Sequence, residues 1–169
     1  MSKIIQDIMT KKIVTIKQEK TGLDAAKSMN DHGISSLIVE NNQKHVGIIT
    51  ERDVVSKICC KDLQPSKVKI VDLMSNIRVY ANPNTPIEVA VQRMVNHKIR
   101  RLPVIEGGKI VGIVTVTDLA KELRKTILEE GLLSELSGSR GCMTREDRCG
   151  QRVAQKHLVY IMNIVILVL

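Results

Sequence analysis

The heptapeptide GIITERD, residues 47–53, returns as GIVTVTD at residues 112–118. Gly, Ile, Thr and Asp keep their places in both. Working outward from this phrase without a gap, residues 6–53 lie over 71–118 with 15 identities in 48 positions. The pairs run from Asp7/Asp72 and Met9/Met74 through Ala25/Ala90, Met29/Met94 and Leu37/Leu102 to Asp53/Asp118. That is several times what chance alignment gives, so the chain is an internal duplication.

Each copy reads as the same series of elements. Val14–Ile16 and Val79–Ala81 are short strand-like runs. A helix follows, with Leu23, Ala25, Ala26 and Met29 on one face in the first copy and Ile87, Ala90, Val91 and Met94 in the second. Thr85-Pro86-Ile87-Glu88 looks like a helix start, with Thr85 as N-cap, Pro86 at the first helical position and Glu88 completing a capping box. The helices end near His32-Gly33 and His97-Lys98, where the histidines fit as helix-end residues. Two hairpins come next, Ser36–Glu40 with Val46–Ile49 and Leu102–Ile105 with Ile110–Val114, turning at Asn41-Asn42 and Gly107-Gly108. A closing helix opens at Thr50 or Thr115. The order is β-α-β-β-α, twice, which predicts an α+β (mixed α/β) fold whose two small units pack together.

The domain plan is repeat one at 1–60, a linker with Pro65 at 61–70, repeat two at 71–125, a C-terminal helix at 126–139 and a separate tail at 140–169. The tail ends in LVYIMNIVILVL, residues 158–169, too short to span a bilayer, which needs about 20 apolar residues. It reads as a packing segment at a dimer interface, a weak membrane contact, or a non-native end.

Composition limits the function. The 169 residues contain no Phe or Trp and two Tyr, so the core is aliphatic and stacking platforms for single-stranded nucleic acid are missing. The net charge of +8 lies wholly within residues 1–125 and favours anionic partners. A nucleic-acid binder using that basic surface is therefore the alternative function, although no helix-turn-helix or zinc-finger pattern accompanies the charge. Cys59-Cys60 and the Cys142/Cys149 pair have poor spacing for metal, so no metal ligand is assigned. No secretory leader pattern opens the chain, and a cytoplasmic protein with reduced thiols is expected. No nucleophile–base pair or Gly-rich phosphate loop is visible. No catalytic residue is assigned, and the chain is expected not to be an enzyme.

Thr-x-x-Asp has two readings. Thr50…Asp53 and Thr115…Asp118 are capping boxes on sequence alone. They also stand where an apolar strand runs into a helix N-terminus, a place that suits anions, and an Asp there can accept from the two hydroxyls of a ribose.

The tandem units, each carrying Gly-h-h-Thr-x-x-Asp (h, apolar), with Ile-Arg-Arg-Leu-Pro-Val-Ile at 99–105, resemble a pair of cystathionine-β-synthase (CBS) domains, a Bateman module. The likeness covers residues 3–124. It implies two repeats packed with pseudo-twofold symmetry and a regulatory, ligand-sensing role. An adenosine-containing ligand (AMP, ADP, ATP, S-adenosylmethionine or an NAD-type molecule) would bind in the cleft between the repeats. No cofactor is required beyond that regulatory ligand. A homodimer and a protein target are also implied.

The resemblance carries ligand roles onto two sets of residues. Asp53 would hold ribose beside Thr50, Arg52 and Ser36, with Arg78, Ile99 and Arg100 from the second copy. Asp118 would do so beside Thr115, Thr117 and Arg101, with Ile13, Ile34 and Ser35 from the first. The Asp53 set is richer in phosphate partners, so either it prefers more phosphates or only one site is filled.

Overall fold

The computed structural model describes residues 3–129. The expected 140–169 tail, and residues 130–139 of the expected C-terminal helix, lie outside the described residues. The elements are α1 (Ile5–Ile8), β1 (Thr15–Lys17), α2 (Gly22–His32), β2 (Ser36–Asn41), β3 (Lys44–Thr50), α3 (Glu51–Lys57) and a 3₁₀ turn at Cys59–Lys61. They continue with α4 (Ile70–Leu73), α5 (Ile87–Asn96), β4 (Arg101–Glu106), β5 (Lys109–Thr115) and α6 (Val116–Glu129). Mixed helix and strand in this order bears out the α+β reading.

Two compact units emerge. Among the described residues, one comprises Thr10–Tyr80 with Ile105–Gly112, and the other comprises residues 3–9, Ala81–Val104 and residues 113–129. The segment that opens each copy therefore belongs with the body of the other copy.

In the first unit β2 is the central strand. It pairs parallel with β1 (Ile16 opposite Val39) and antiparallel with β3 (Leu37 opposite Ile49), with a bulge after Val39. Leu37, Ile38 and Val39 are buried in succession, as befits a strand covered on both faces. Ile16, Ala25, Met29, Leu37, Val39 and Ile49 form its core, closed by Ile58 and, from the end of the linker and the opening of the second copy, Ile70 and Leu73. Leu23 departs from the expected apolar face of α2: it is 37% exposed, while Ala25 and Met29 are buried. The helix starts at Thr21, whose hydroxyl accepts from Asp24 N–H while Asp24 returns to Thr21 N–H, a capping box. Gly33 in the left-handed region ends it.

In the second unit Ile87, Ala90, Val91 and Met94 are all buried, as the spacing of α5 predicts. Its start differs from expectation. Pro86 is the N-cap, and Thr85 caps nothing. Thr85 is buried, and its hydroxyl accepts from Asn82 N–H at 3.0 Å, closing the 82–85 turn. Its oxygen is spent before the helix begins. The strand expected at Val79–Ala81 shrinks to one parallel bridge, Ala81 to Val104. Lys3–Gln6 lies along this stretch: Ile5 N–H bonds Thr85 C=O at 2.9 Å, and Ile87 N–H bonds Lys3 C=O at 3.2 Å. The closing helix and the helix expected from 126 are continuous, since α6 runs unbroken from Val116 to Glu129.

The β2–β3 turn places Asn42 and Gln43 at positive φ, and the β4–β5 turn does the same with Gly107 and Gly108. Both hairpins therefore use the turn hand that suits strand twist. His32 is the last residue of α2 and His97 the C-cap of α5, as expected of helix-end residues.

Candidate functional site

The repeated heptapeptide forms a strand-to-helix corner in each unit. Gly47 is needed because β3 is approached closely there. Ile48 and Ser75 exchange two backbone hydrogen bonds of 2.9 Å, and a Cβ on Gly47 would fall 2.9 Å from both Met74 Sδ and the Ser75 carbonyl oxygen. Thr50 then leaves the strand in an extended conformation and α3 begins.

At that point the carboxylate is locked by its own threonine. Thr50 N–H donates to Asp53 Oδ2 at 3.0 Å, the Thr50 hydroxyl donates to the same oxygen at 2.6 Å, and Asp53 N–H donates back to Thr50 Oγ1 at 3.3 Å. The other corner repeats this with Thr115 and Asp118 at 2.9, 2.7 and 3.3 Å. The helix start is also tied to the preceding segment: Glu51 N–H bonds Ser35 C=O at 3.2 Å, and Val116 N–H bonds Arg100 C=O at 3.1 Å. Ser35 and Arg100 are thereby brought to the corners, and Ser36 sits opposite Thr50 in the β2–β3 register.

The corner is not the open anion nest that a strand running into a helix suggests. The first helical N–H is taken by Ser35 or Arg100, and the third by the threonine hydroxyl. What the corner offers is the second carboxylate oxygen, Oδ1, since Oδ2 already receives two donors from Thr. The two corners differ at that oxygen. Asp53 Oδ1 holds Lys57 Nζ at 3.1 Å, and Lys57 also donates to the Leu73 carbonyl at the end of α4. The equivalent of Lys57 beyond Asp118 is Glu122, which pairs with Lys3. Lys57 is missed by the sequence reading, although its place four residues after Asp53 on a helix was a usable signal.

The remaining expected residues fall into two groups. Ile13, Ile34, Ser35, Ser36, Thr50, Arg52, Asp53 and Arg78 belong to the Thr10–Tyr80 unit. Arg78, expected from the second copy, thus joins the unit of Asp53 directly. It lines an open cleft of about 580 Å³ with Val71, Met74, Ser75 and Asn76. Ile99, Arg100, Arg101, Thr115, Thr117 and Asp118 belong to the other unit. Arg52 and Thr117 are exposed, whereas Asp53 and Asp118 are half-buried.

A third Thr-x-x-Asp, Thr21…Asp24, has the same geometry at the start of α2. Hydrogen bonds from the Thr21 backbone and then its side chain hold the Asp24 carboxyl below its ordinary range. Capping alone therefore does not set the two candidate corners apart. The strand that precedes Thr50 and Thr115, and its Gly, do.

The family model for the CBS domain matches twice, over residues 5–59 and 70–125. The chain belongs to the CBS-domain family. As a CBS-domain pair it is a regulatory module. An uncharacterized protein of Methanopyrus kandleri is 33% identical over 117 residues, which are 68% of this chain and 60% of that relative. The chain thus spans less than two thirds of that relative's length. A conserved uncharacterized protein from Pyrococcus horikoshii has a crystal structure similar to this CBS pair, with TM-score 0.70 and 30% identity over 73% of this chain and 94% of that one. A CBS-domain pair crystallised in complex with 5′-methylthioadenosine and S-adenosyl-L-methionine has TM-score 0.68 and 26% identity, covering 75% of this chain and 99% of that one. No described helix is long and apolar enough to cross a membrane.

Proposed function

We propose that this CBS pair senses an adenosine-containing ligand, an adenine nucleotide, S-adenosylmethionine or an NAD-type molecule, and reports its occupancy to a protein partner or to a second copy of the chain. The observation that carries this reading is the duplicated corner: two half-buried carboxylates, each oriented by its own Thr in the same geometry. Such an Asp is preorganised to accept from vicinal ribose hydroxyls. The complex of a similar CBS pair with two adenosine compounds supports the ligand class. In the Thr10–Tyr80 unit Arg52 and Arg78 are the proposed phosphate partners and Ile13 and Ile34 the apolar contacts for adenine; in the other unit these roles fall to Arg100 and Arg101 and to Ile99. The role is regulatory rather than catalytic, working by population shift. The exposed, unpaired Cys59 and Cys60 suit a reducing cytoplasm.

Thermal unfolding with AMP, ADP, ATP, S-adenosylmethionine and NAD tests the reading. A ligand present at about a hundred times its Kd adds about 2.7 kcal/mol of stability. The response should vanish when the corner that holds the ligand loses its carboxylate, so at least one of Asp118→Ala and Asp53→Ala should abolish it. It should survive Asp24→Ala, which loses an equivalent cap away from the corners. If no compound shifts the wild-type transition, or if Asp24→Ala abolishes the response as fully as the corner variants do, the reading is wrong.

A further inference from the structure

The two corners share their Thr–Asp geometry and differ in what stands on the outer carboxylate oxygen. This inference rests on the proposed sensing role. Lys57 is fixed at both ends of its reach: Nζ lies 3.1 Å from Asp53 Oδ1 and donates to the Leu73 carbonyl. Its side chain is two-thirds buried and that of Asp53 is 16% exposed, so the pair is not a loose surface contact. Asp53 then has both oxygens engaged, Oδ2 by Thr50 and Oδ1 by Lys57. A ribose diol binding there must share or displace an ammonium that also satisfies the last carbonyl of α4.

Asp118 has the same claim on Oδ2, from Thr115 N–H and hydroxyl. The residue one turn on is Glu122, turned to Lys3, so the lysine that covers Asp53 has no counterpart here. Among the described residues no cation pairs with Asp118 Oδ1. The carboxylate keeps a whole oxygen for incoming hydroxyls.

We infer that Lys57 is a specificity-determining residue that closes the Asp53 corner to a ribose diol, so that the chain takes one adenosine ligand, through Asp118. The class at that corner is a nucleoside with free 2′- and 3′-hydroxyls. Lys57 acts as an internal occupant: its ammonium holds the place a hydroxyl donor would take. Swapping the charge one turn after each Asp should therefore swap the behaviour of the corners.

Titration calorimetry of the full chain with 5′-methylthioadenosine and with AMP reads this directly. Wild type should bind one equivalent. Asp118→Ala should abolish that binding, and Asp53→Ala should leave it within about twofold, a charge-assisted hydrogen bond being worth tenfold or more in affinity. Lys57→Met should gain a second equivalent, which Asp53→Ala in the same chain removes. Because Lys57→Met also strips the Leu73 carbonyl of its donor, Glu122→Lys is the complementary variant. It should weaken binding about tenfold or more, while Glu122→Gln, which loses the Lys3 pair without adding an ammonium, should not. Two equal sites in wild type, or binding that depends on Asp53 and not on Asp118, would overturn the assignment while leaving the sensing role intact. Absence of binding by wild type and by Lys57→Met alike would overturn both.

Discussion

A carboxylate bonded to a backbone N–H is easier to ionise, and Asp24 carries that effect visibly. Thr21 N–H lies 2.9 Å from its Oδ2 and the Thr21 hydroxyl 2.8 Å, and the carboxyl is held below its ordinary value of 3.8. A group whose pKa falls on folding adds stability that is complete above the unfolded value and is lost as pH drops through the folded one. Asp24→Asn, which keeps an acceptor for Thr21 N–H but removes the charge, should therefore cost stability at neutral pH, about 0.3–1 kcal/mol for a carboxylate in the first turn of a helix. The difference from wild type should shrink as pH falls below 3.8, measured by urea unfolding across pH 2–7. An equal loss at every pH would mean that the charge contributes nothing. Gly47 gives the opposite kind of prediction, one of space. A methyl there meets the Ser75 carbonyl and Met74 sulfur at 2.9 Å, and Ser75 is held to Ile48 by two hydrogen bonds, so the backbone cannot simply yield. Gly47→Ala should destabilise by about 1–3 kcal/mol, the usual cost of overpacking. Gly33→Ala should be milder, since open space surrounds it and only its positive φ resists.

At the scale of elements, the hairpins were the most legible part of the sequence. Apolar runs at Leu37–Val39 and at Leu102-Pro103-Val104-Ile105, each followed by turn formers, point to strands and a hairpin in both copies. The turns differ in quality. Gly107-Gly108 suits positive φ at both positions, but Gln43 carries a long side chain at φ 62°. Gln43→Gly should stabilise the β2–β3 hairpin by up to about 1 kcal/mol, seen as a higher midpoint in chemical denaturation. A lower midpoint would show that Gln43 makes a compensating contact. The helix starts were less legible, because sequence does not show which N–H a threonine oxygen will face. Thr85 looks like an N-cap beside Pro86, yet its oxygen closes the 82–85 turn, and only the fold of Asn82 toward it reveals this. Thr21…Asp24 was readable by the same rule as Thr50…Asp53, but the repeat did not single it out, since its aligned counterpart is Pro86…Val89. The carboxylates of the candidate corners were legible from the repeat. Lys57 was not taken from it, because the repeat aligns Lys57 with Glu122 and hides what differs between copies.

On the scale of the whole chain, the duplication in sequence and the partition in space are out of step. The sequence reads as copies at 1–60 and 71–125, whereas the compact units exchange their opening segments: Ile5 joins the unit of Ala81–Val104, and Ile70 and Leu73 join that of Thr10–Tyr80. Periodicity reports which face of an element is apolar but not whose core receives it, so this exchange could not be read in advance. Its energetic weight is large. Ile5 and Ile70 are fully buried, and each is the anchor of a four-residue helix with little stability of its own. Truncating either to Ala should cost about 2–5 kcal/mol, the range for a buried isoleucine. Where the loss appears is the sharper test. By native-state hydrogen exchange, Ile70→Ala should loosen amides of β1, β2 and β3 first, although residue 70 begins the second CBS match. Ile5→Ala should loosen α5 and the Ala81–Val104 stretch, although residue 5 opens the first. Loosening confined to the copy that carries the substitution would mean that the exchanged segments do not anchor the units they join. Loosening in the exchanged pattern would mean that severing the chain at 61–70 leaves each half without the side chains that close its core, Ile70 and Leu73 in one case and Ile5 in the other.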